Sequence, residues 1–125
     1  MTIRDSKGSR AAKAKGRDAE NAVVEYLRKQ GIPAERRRLM GVADLGDISG
    51  MLGVVIEVKN EKKIRLAGYI EELKQEVDHA DQVLHYPMPK PGSHKGVVVI
   101  KKRGTSDAGK WYAVMEFSQA VDLLR

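Results

Sequence analysis

Apolar residues recur at helical spacing in two long stretches of the chain. Over about residues 11–30, Glu20, Val23, Val24 and Leu27 fall on one stripe, and Gly31 then Pro33 end the pattern. Leu66, Tyr69, Ile70, Leu73, Val77, Ala80 and Leu84 form a second stripe, whose outer face is expected to carry Glu71, Glu72, Glu76, Asp78 and Asp81. Between and after these stretches, short apolar runs predict strands at residues 34–40, 47–50, 54–59, 96–101 and 110–117. The last residues, with Val121 and Leu124, predict a short closing helix. Pro87, Pro89, Pro91 and Gly92 mark a connector, and residues 104–109 read as a hairpin loop. The order α-β-β-β-α-β-β-α predicts an α/β fold in which a mixed central sheet is flanked by helices.

At 125 residues and 13.9 kDa the chain has the length of one domain. Such a chain buries about two-thirds of the surface its unfolded form exposes, so a true core is possible. Residues 1–10, small, polar and basic, are expected to form a mobile arm, leaving residues 11–125 as the single domain. The absence of cysteine excludes disulfides and thiolate metal sites and fits a reducing compartment. The opening Met1–Lys7 lacks the apolar stretch of a secretion signal, and runs such as Val97–Ile100 are too short to cross a bilayer. A soluble, cytoplasmic protein with no membrane partner is the expectation.

Charge adds a partner to this picture. Lys and Arg number 23 and Asp and Glu 17, a formal charge of +6. Residues 1–19 carry six basic and two acidic side chains, residues 61–86 four and six, and residues 87–125 seven and three. Positive ends therefore flank an acidic middle, a directed distribution that favours a polyanion. Two clusters, Arg36-Arg37-Arg38 and Lys101-Lys102-Arg103, are candidates for phosphate contacts or for solvated faces. His79, His85 and His94 lack a ligand pair at i, i+4 and are expected at the surface.

The candidate chemistry lies in residues 47–59. Read as a hairpin with the loop Met51-Leu52-Gly53, this stretch pairs Ile48 with Ile56 and Asp47 with Glu57. Asp47, Glu57 and Lys59 then share a face, and Ile48, Val54, Ile56 and Val58 point to the core. Asp44 has the wrong parity unless the preceding loop bends it back. Opposed carboxylates repel, and a cation between them relieves the repulsion. Mg²⁺ takes a few carboxylate oxygens and keeps several waters, which suits this set. The alternative is a same-face salt bridge between Glu57 and Lys59. Glu20, an acid on a core-facing stripe, needs a partner, either the same cation or an arginine or solvent.

Asp47, nine residues, then Glu57-Val58-Lys59 resembles the active-site pattern of the PD-(D/E)XK nucleases. Gly16-Arg17-Asp18-Ala19-Glu20, followed by Val23-Val24, Leu27, Gly31 and Arg37, resembles the opening helix and strand of archaeal-type Holliday-junction resolvases and their small phage-encoded relatives. The likeness covers about residues 16–60, with Gly46 where a proline is usual. It implies a restriction-endonuclease-like fold and a Mg²⁺-dependent endonuclease, with Mn²⁺ substituting, that leaves 5′-phosphate ends. Glu20, Asp47, Glu57 and Lys59 would be catalytic. Asp47, Glu57, the Val58 carbonyl and Glu20 would hold metal. Arg17, Arg36, Arg37, Arg38, Lys62, Lys63, Lys101, Lys102 and Arg103 would hold DNA. The family usually acts as a homodimer on branched DNA in recombination or repair, and Met40, Val42 and Leu45 are candidate dimer residues. A nuclease of the same fold acting on other DNA structures, a non-catalytic nucleic-acid-binding protein, and a small RNA-binding protein are the alternatives.

Overall fold

In the computed structural model the described residues are 3–37, 46–51, 53–83 and 94–125. They form α1 (Ile3–Lys29), β1 (Glu35–Arg36), β2 (Ile48–Ser49), β3 (Val54–Lys59), α2 (Leu66–Val83), β4 (Lys95–Ile100), a 3₁₀ turn (Ala108–Lys110), β5 (Tyr112–Val114) and α3 (Phe117–Asp122). The order of elements is the one the sequence pattern predicts. Arg38, Met40, Val42, Asp44, Leu45, Leu52, Leu84, His85, Pro87, Pro89, Pro91 and Gly92, each given a place above, lie outside the described residues.

Several boundaries differ: β1 and β2 are shorter than expected and β4 is shifted by one residue. The first helix begins at Ile3, where an arm through residue 10 was expected. Ala11, Ala12, Lys13 and Ala14 are strong helix formers and offset the cost of Gly8 and Gly16 within the same helix. The last strand is shorter than residues 110–117 because the chain first makes the 3₁₀ turn. Asp107 starts that turn by accepting a hydrogen bond from Gly109 N at 3.0 Å, and Trp111 Nε1 donates to Thr105 O at 2.9 Å.

The five strands lie in sequence order in one mixed sheet. β3 and β4 run parallel, with α2 as the crossover between them, and the other neighbours are antiparallel. Each face buries its own layer. Ala19, Val23 and Val24 of α1 meet Ile48, Ile56, Val58 and Trp111 on one side, and Tyr69, Leu73 and Ala80 of α2 meet Val55, Val98 and Ile100 on the other. Each such aliphatic side chain contributes about 1.5–3 kcal/mol by leaving water. Alternation along β3 thus sends Ile56 and Val58 toward α1 and Val55 and Glu57 toward α2.

The hairpin joining β2 and β3 has the predicted pair of Ile48 opposite Ile56, but the predicted Asp47–Glu57 pair is not part of the ladder, because the Asp47 amide also turns to Ile56 O. Gly53, the last loop residue, has φ +73°, the left-handed conformation the loop requires. Gly50 has φ +106°, and a Cβ there would lie 2.1 Å from Pro33 O. This glycine lets the hairpin pack against the chain leaving α1. Gly50→Ala is expected to destabilise the protein by well over about 1 kcal/mol, and Gly31→Ala, at φ +86° with open space around it, by about 1 kcal/mol or less. Equal midpoints for the two variants in urea denaturation would refute the close-approach argument.

Candidate active site

Glu57 stands near the carboxyl end of β3 and is 4% exposed, on the face covered by α2. There it meets Glu76, 2% exposed, and Glu72, which is exposed. Carboxylate oxygens of the three lie within 4.8 Å of one another. Lys59 Nζ completes the group, 3.2 and 3.3 Å from the two Glu72 oxygens and 3.7 Å from Glu57 Oε2. Its ammonium lies 5.3 Å from the centre of the Tyr69 ring. Tyr69 in turn donates its hydroxyl to Glu61 Oε1 at 2.7 Å, fixing the loop that follows β3.

Asp47 lies beside this group. Its amide donates to Ile56 O at 2.8 Å, and its Oδ2 accepts from Val58 N at 2.7 Å. Strand amides lie in the plane of the sheet, so the Asp47 carboxylate sits at the rim where β2 begins. The carbonyl of Val58 points to the same side as its amide, toward that rim. Arg37 stands next in line, its amide donating to Asp47 O at 2.7 Å. A row of functional groups therefore crosses the sheet from Arg37 through Asp47 and Glu57 to Glu72 and Glu76.

Not all expected site residues join this row. Glu20 accepts from Arg36 Nε at 2.6 Å. Arg36 pairs with Ile48 in register and so belongs to the α1 face, opposite the face that Glu57 uses. Of the alternatives for Glu20, the arginine is the partner the structure gives it. Arg17 is exposed on α1, 3.8 Å from Asp18. Glu76 corrects the outer-face assignment. The spacing Tyr69, Leu73, Glu76, Ala80 follows the inward line of α2, and this is the signal that an acid there needs a partner. His94 is likewise buried, not at the surface, because its ring Nδ1 and its amide both meet Asp81 Oδ1 near the end of α2.

The basic residues gather where the parallel strands end. Asn60, Glu61, Lys62 and Ile64 after β3, Lys101, Lys102, Arg103 and Gly104 after β4, Lys15 of α1 and Tyr112 of β5 line a groove of about 690 Å³. Lys101 Nζ lies 5.6 Å from the centre of the Trp111 ring. Lys63 is exposed on the same loop. Ligands of α/β sheets commonly sit at the carboxyl ends of parallel strands.

The electrostatics follow from burial. Glu57 is pushed up to about 11 by desolvation, by its contact with Glu76, and by the charges of Asp47 and Glu76. Lys59 is pulled down by burial, but Glu72, then Glu57 and Glu61, outweigh this, so its pKa ends above the usual lysine value. Glu57 Oε1 is fully buried and receives no hydrogen bond from a donor among the described residues. Two buried carboxyls side by side require a shared proton or a cation. An all-oxygen donor set of this kind fits a hard ion, Mg²⁺ or Mn²⁺.

No protein-family model, curated protein or solved structure matches the chain.

Without divalent metal, the raised pKa of Glu57 dictates a sign. The folded chain keeps a proton that the unfolded chain loses, so this contribution to stability is full below about pH 4.5 and declines as pH rises toward about 11. In EDTA the melting temperature is expected to fall between about pH 5 and pH 9, and Glu57→Gln to flatten that fall. At pH 8, Mg²⁺ or Mn²⁺ is expected to raise the melting temperature of the wild type and to do little for Glu57→Gln. A wild type indifferent to both ions would remove the case for a metal centre.

Proposed function

We propose that the chain is a Mg²⁺-dependent endonuclease that hydrolyses phosphodiester bonds in branched DNA, in the manner of a Holliday-junction resolvase. The observation that carries this reading is the buried Glu57–Glu76 carboxyl pair, capped by Lys59, beside a basic groove at the carboxyl ends of β3 and β4. Metal-assisted phosphodiester hydrolysis needs a divalent ion and a means of holding a phosphate backbone against it, and the two features would supply one requirement each. The resemblance of Asp47 and Glu57-Val58-Lys59 to the PD-(D/E)XK pattern supports the same conclusion.

Glu57, Glu76 and Glu72 would hold the ion, with Asp47 and the Val58 carbonyl at its flank. An ion held there would supply Lewis-acid chemistry toward the phosphodiester and water. Lys59 is kept charged by Glu72 and Glu57, so its role is to stabilise negative charge on the phosphate and not to take a proton. Asp47, tied to Val58 N, fixes the start of β2 against β3. Lys62, Lys101, Lys102 and Arg103 hold flanking phosphates and read little sequence. Resolution takes two nicks, which a two-fold homodimer would provide.

A four-way junction and a linear duplex of the same sequence are the test substrates. With Mg²⁺ or Mn²⁺ the junction is expected to be cut symmetrically near its branch, and EDTA to stop the reaction. Glu57→Gln and Glu76→Gln are expected to slow cleavage at least about 100-fold and to leave junction binding within about twofold. Lys59→Ala is expected to slow it about 10²–10³-fold. Equal digestion of both substrates would replace the resolvase with a less selective nuclease of the same fold. A pure preparation that nicks neither substrate would leave only a nucleic-acid-binding module.

A further inference from the structure

The groove at the carboxyl ends of β3 and β4 has a feature that backbone binding does not explain. Among its lining residues, five are cations (Lys15, Lys62, Lys101, Lys102, Arg103) and one is an acid, Glu61. Glu61 already accepts from the Tyr69 hydroxyl and lies 3.8 Å from Arg65. Such a charge set calls for a polyanion. Yet two apolar groups stand open within it, Tyr112 at 52% and Ile64 at 50% exposure. Trp111, the preceding residue, is buried against the α1 layer with Lys101 above its ring. Alternation along β5 sends the two rings to opposite faces, so Tyr112 gains nothing from the core that Trp111 joins. It is also anchored from behind, since Tyr112 pairs with Ile100 in the β4–β5 ladder.

We infer that this groove grips an unpaired DNA strand, with Tyr112 as a stacking platform for a base. A rigid aromatic ring flanked by lysine and arginine is the arrangement by which proteins hold single strands. In a duplex the base faces are already stacked on one another and are not open to the ring. The cations serve duplex and single strand alike, whereas Tyr112 serves only a strand whose bases are splayed out. The inference rests on the nuclease reading for the identity of the polymer and narrows its substrate to branched DNA that carries an unpaired strand, beyond a fully paired four-way junction. Asn60 and Glu61 follow Lys59 directly, so a strand in the groove leads to the carboxyl cluster.

The test is fluorescence anisotropy of the full chain with a labelled single-stranded oligonucleotide and with the duplex of the same sequence, both in EDTA. Removing divalent metal keeps this measurement independent of cleavage, so a failed nuclease assay and a failed strand-binding assay are distinguishable. The wild type is expected to bind the single strand more tightly than the duplex. Tyr112→Ala is expected to weaken single-strand binding about 5- to 150-fold, the equivalent of one lost base stack, and duplex binding less than about twofold. Tyr112→Phe is expected to retain single-strand affinity. Lys102→Ala with Arg103→Ala is expected to weaken both and to lower the salt dependence of each. Equal losses on strand and duplex for Tyr112→Ala, no loss on either, or no wild-type binding to the strand would each overturn the inference. A ribo-oligonucleotide bound more tightly than its DNA counterpart would overturn the assignment to DNA.

Discussion

The contact on which this molecule turns is a repulsive one. Glu57 is placed by strand alternation under α2, and Glu76 is placed by helix periodicity over β3. Neither element can turn its acid outward without also exposing Val55 or Leu73 and Ala80, which hold the two together. Burying a carboxylate against another costs several kcal/mol unless a proton or cation intervenes. The hydrophobic layer around the pair thus forces the acids together, with the Lys59 ammonium 3.7 Å from Glu57 Oε2. That constraint sets the raised pKa of Glu57 and the grip of Glu72 and Glu57 on Lys59.

The position of this contact in the fold matters as much as its composition. β3, like β4, faces both helical layers, and it lies between an antiparallel neighbour and a parallel one. The antiparallel side brings Asp47 and Arg37 to the rim. The parallel side, through its crossover, brings Glu72 and Glu76 over the strand and delivers Lys101, Lys102 and Arg103 to the same end of the sheet as Lys62. A single six-residue strand therefore fixes the acidic and basic halves of the site relative to one another.

Much of this was legible in the sequence, and the exceptions share a cause. The hairpin register could be read because loop chemistry at Gly53 and alternation of Ile48, Val54, Ile56 and Val58 agree. The boundaries of β3 and α2 could be read because apolar period and breakers coincide. Glu76 shares the inward line of Tyr69, Leu73 and Ala80, but that spacing does not say which group of the sheet it meets. Glu20 sits on an equally apolar stripe, yet its partner is Arg36, a residue of a strand whose face depends on pairing with Ile48. Whether a stripe acid meets a cation, an arginine or another acid depends on which element crosses it, and that is tertiary information. His94 was missed for the same reason, since its burial is decided by Asp81 on a distant turn of α2. The Lys101-Lys102-Arg103 cluster was visible, but its convergence with Lys62 and Lys15 into one groove is a property of the parallel β3–β4 pair, and Arg36 goes instead to Glu20.

Gln119 holds both backbone groups of Gly96, accepting from its amide at 2.8 Å and donating to its carbonyl at 2.7 Å. β5 pairs with β4 only from Val98 to Ile100, so this primary amide stands in for the next peptide of a strand that has already turned into α3. The substitution is directional. It closes the one stretch of the central parallel strand that would otherwise offer open ladder positions to another chain. Gly96 has no side chain because Leu73 and Val77 press within 3 Å of where one would begin. The closing helix, small and largely exposed, thereby acts as a hemming stitch on the sheet, and its loss would leave a sticky selvage at the end opposite the carboxyl cluster.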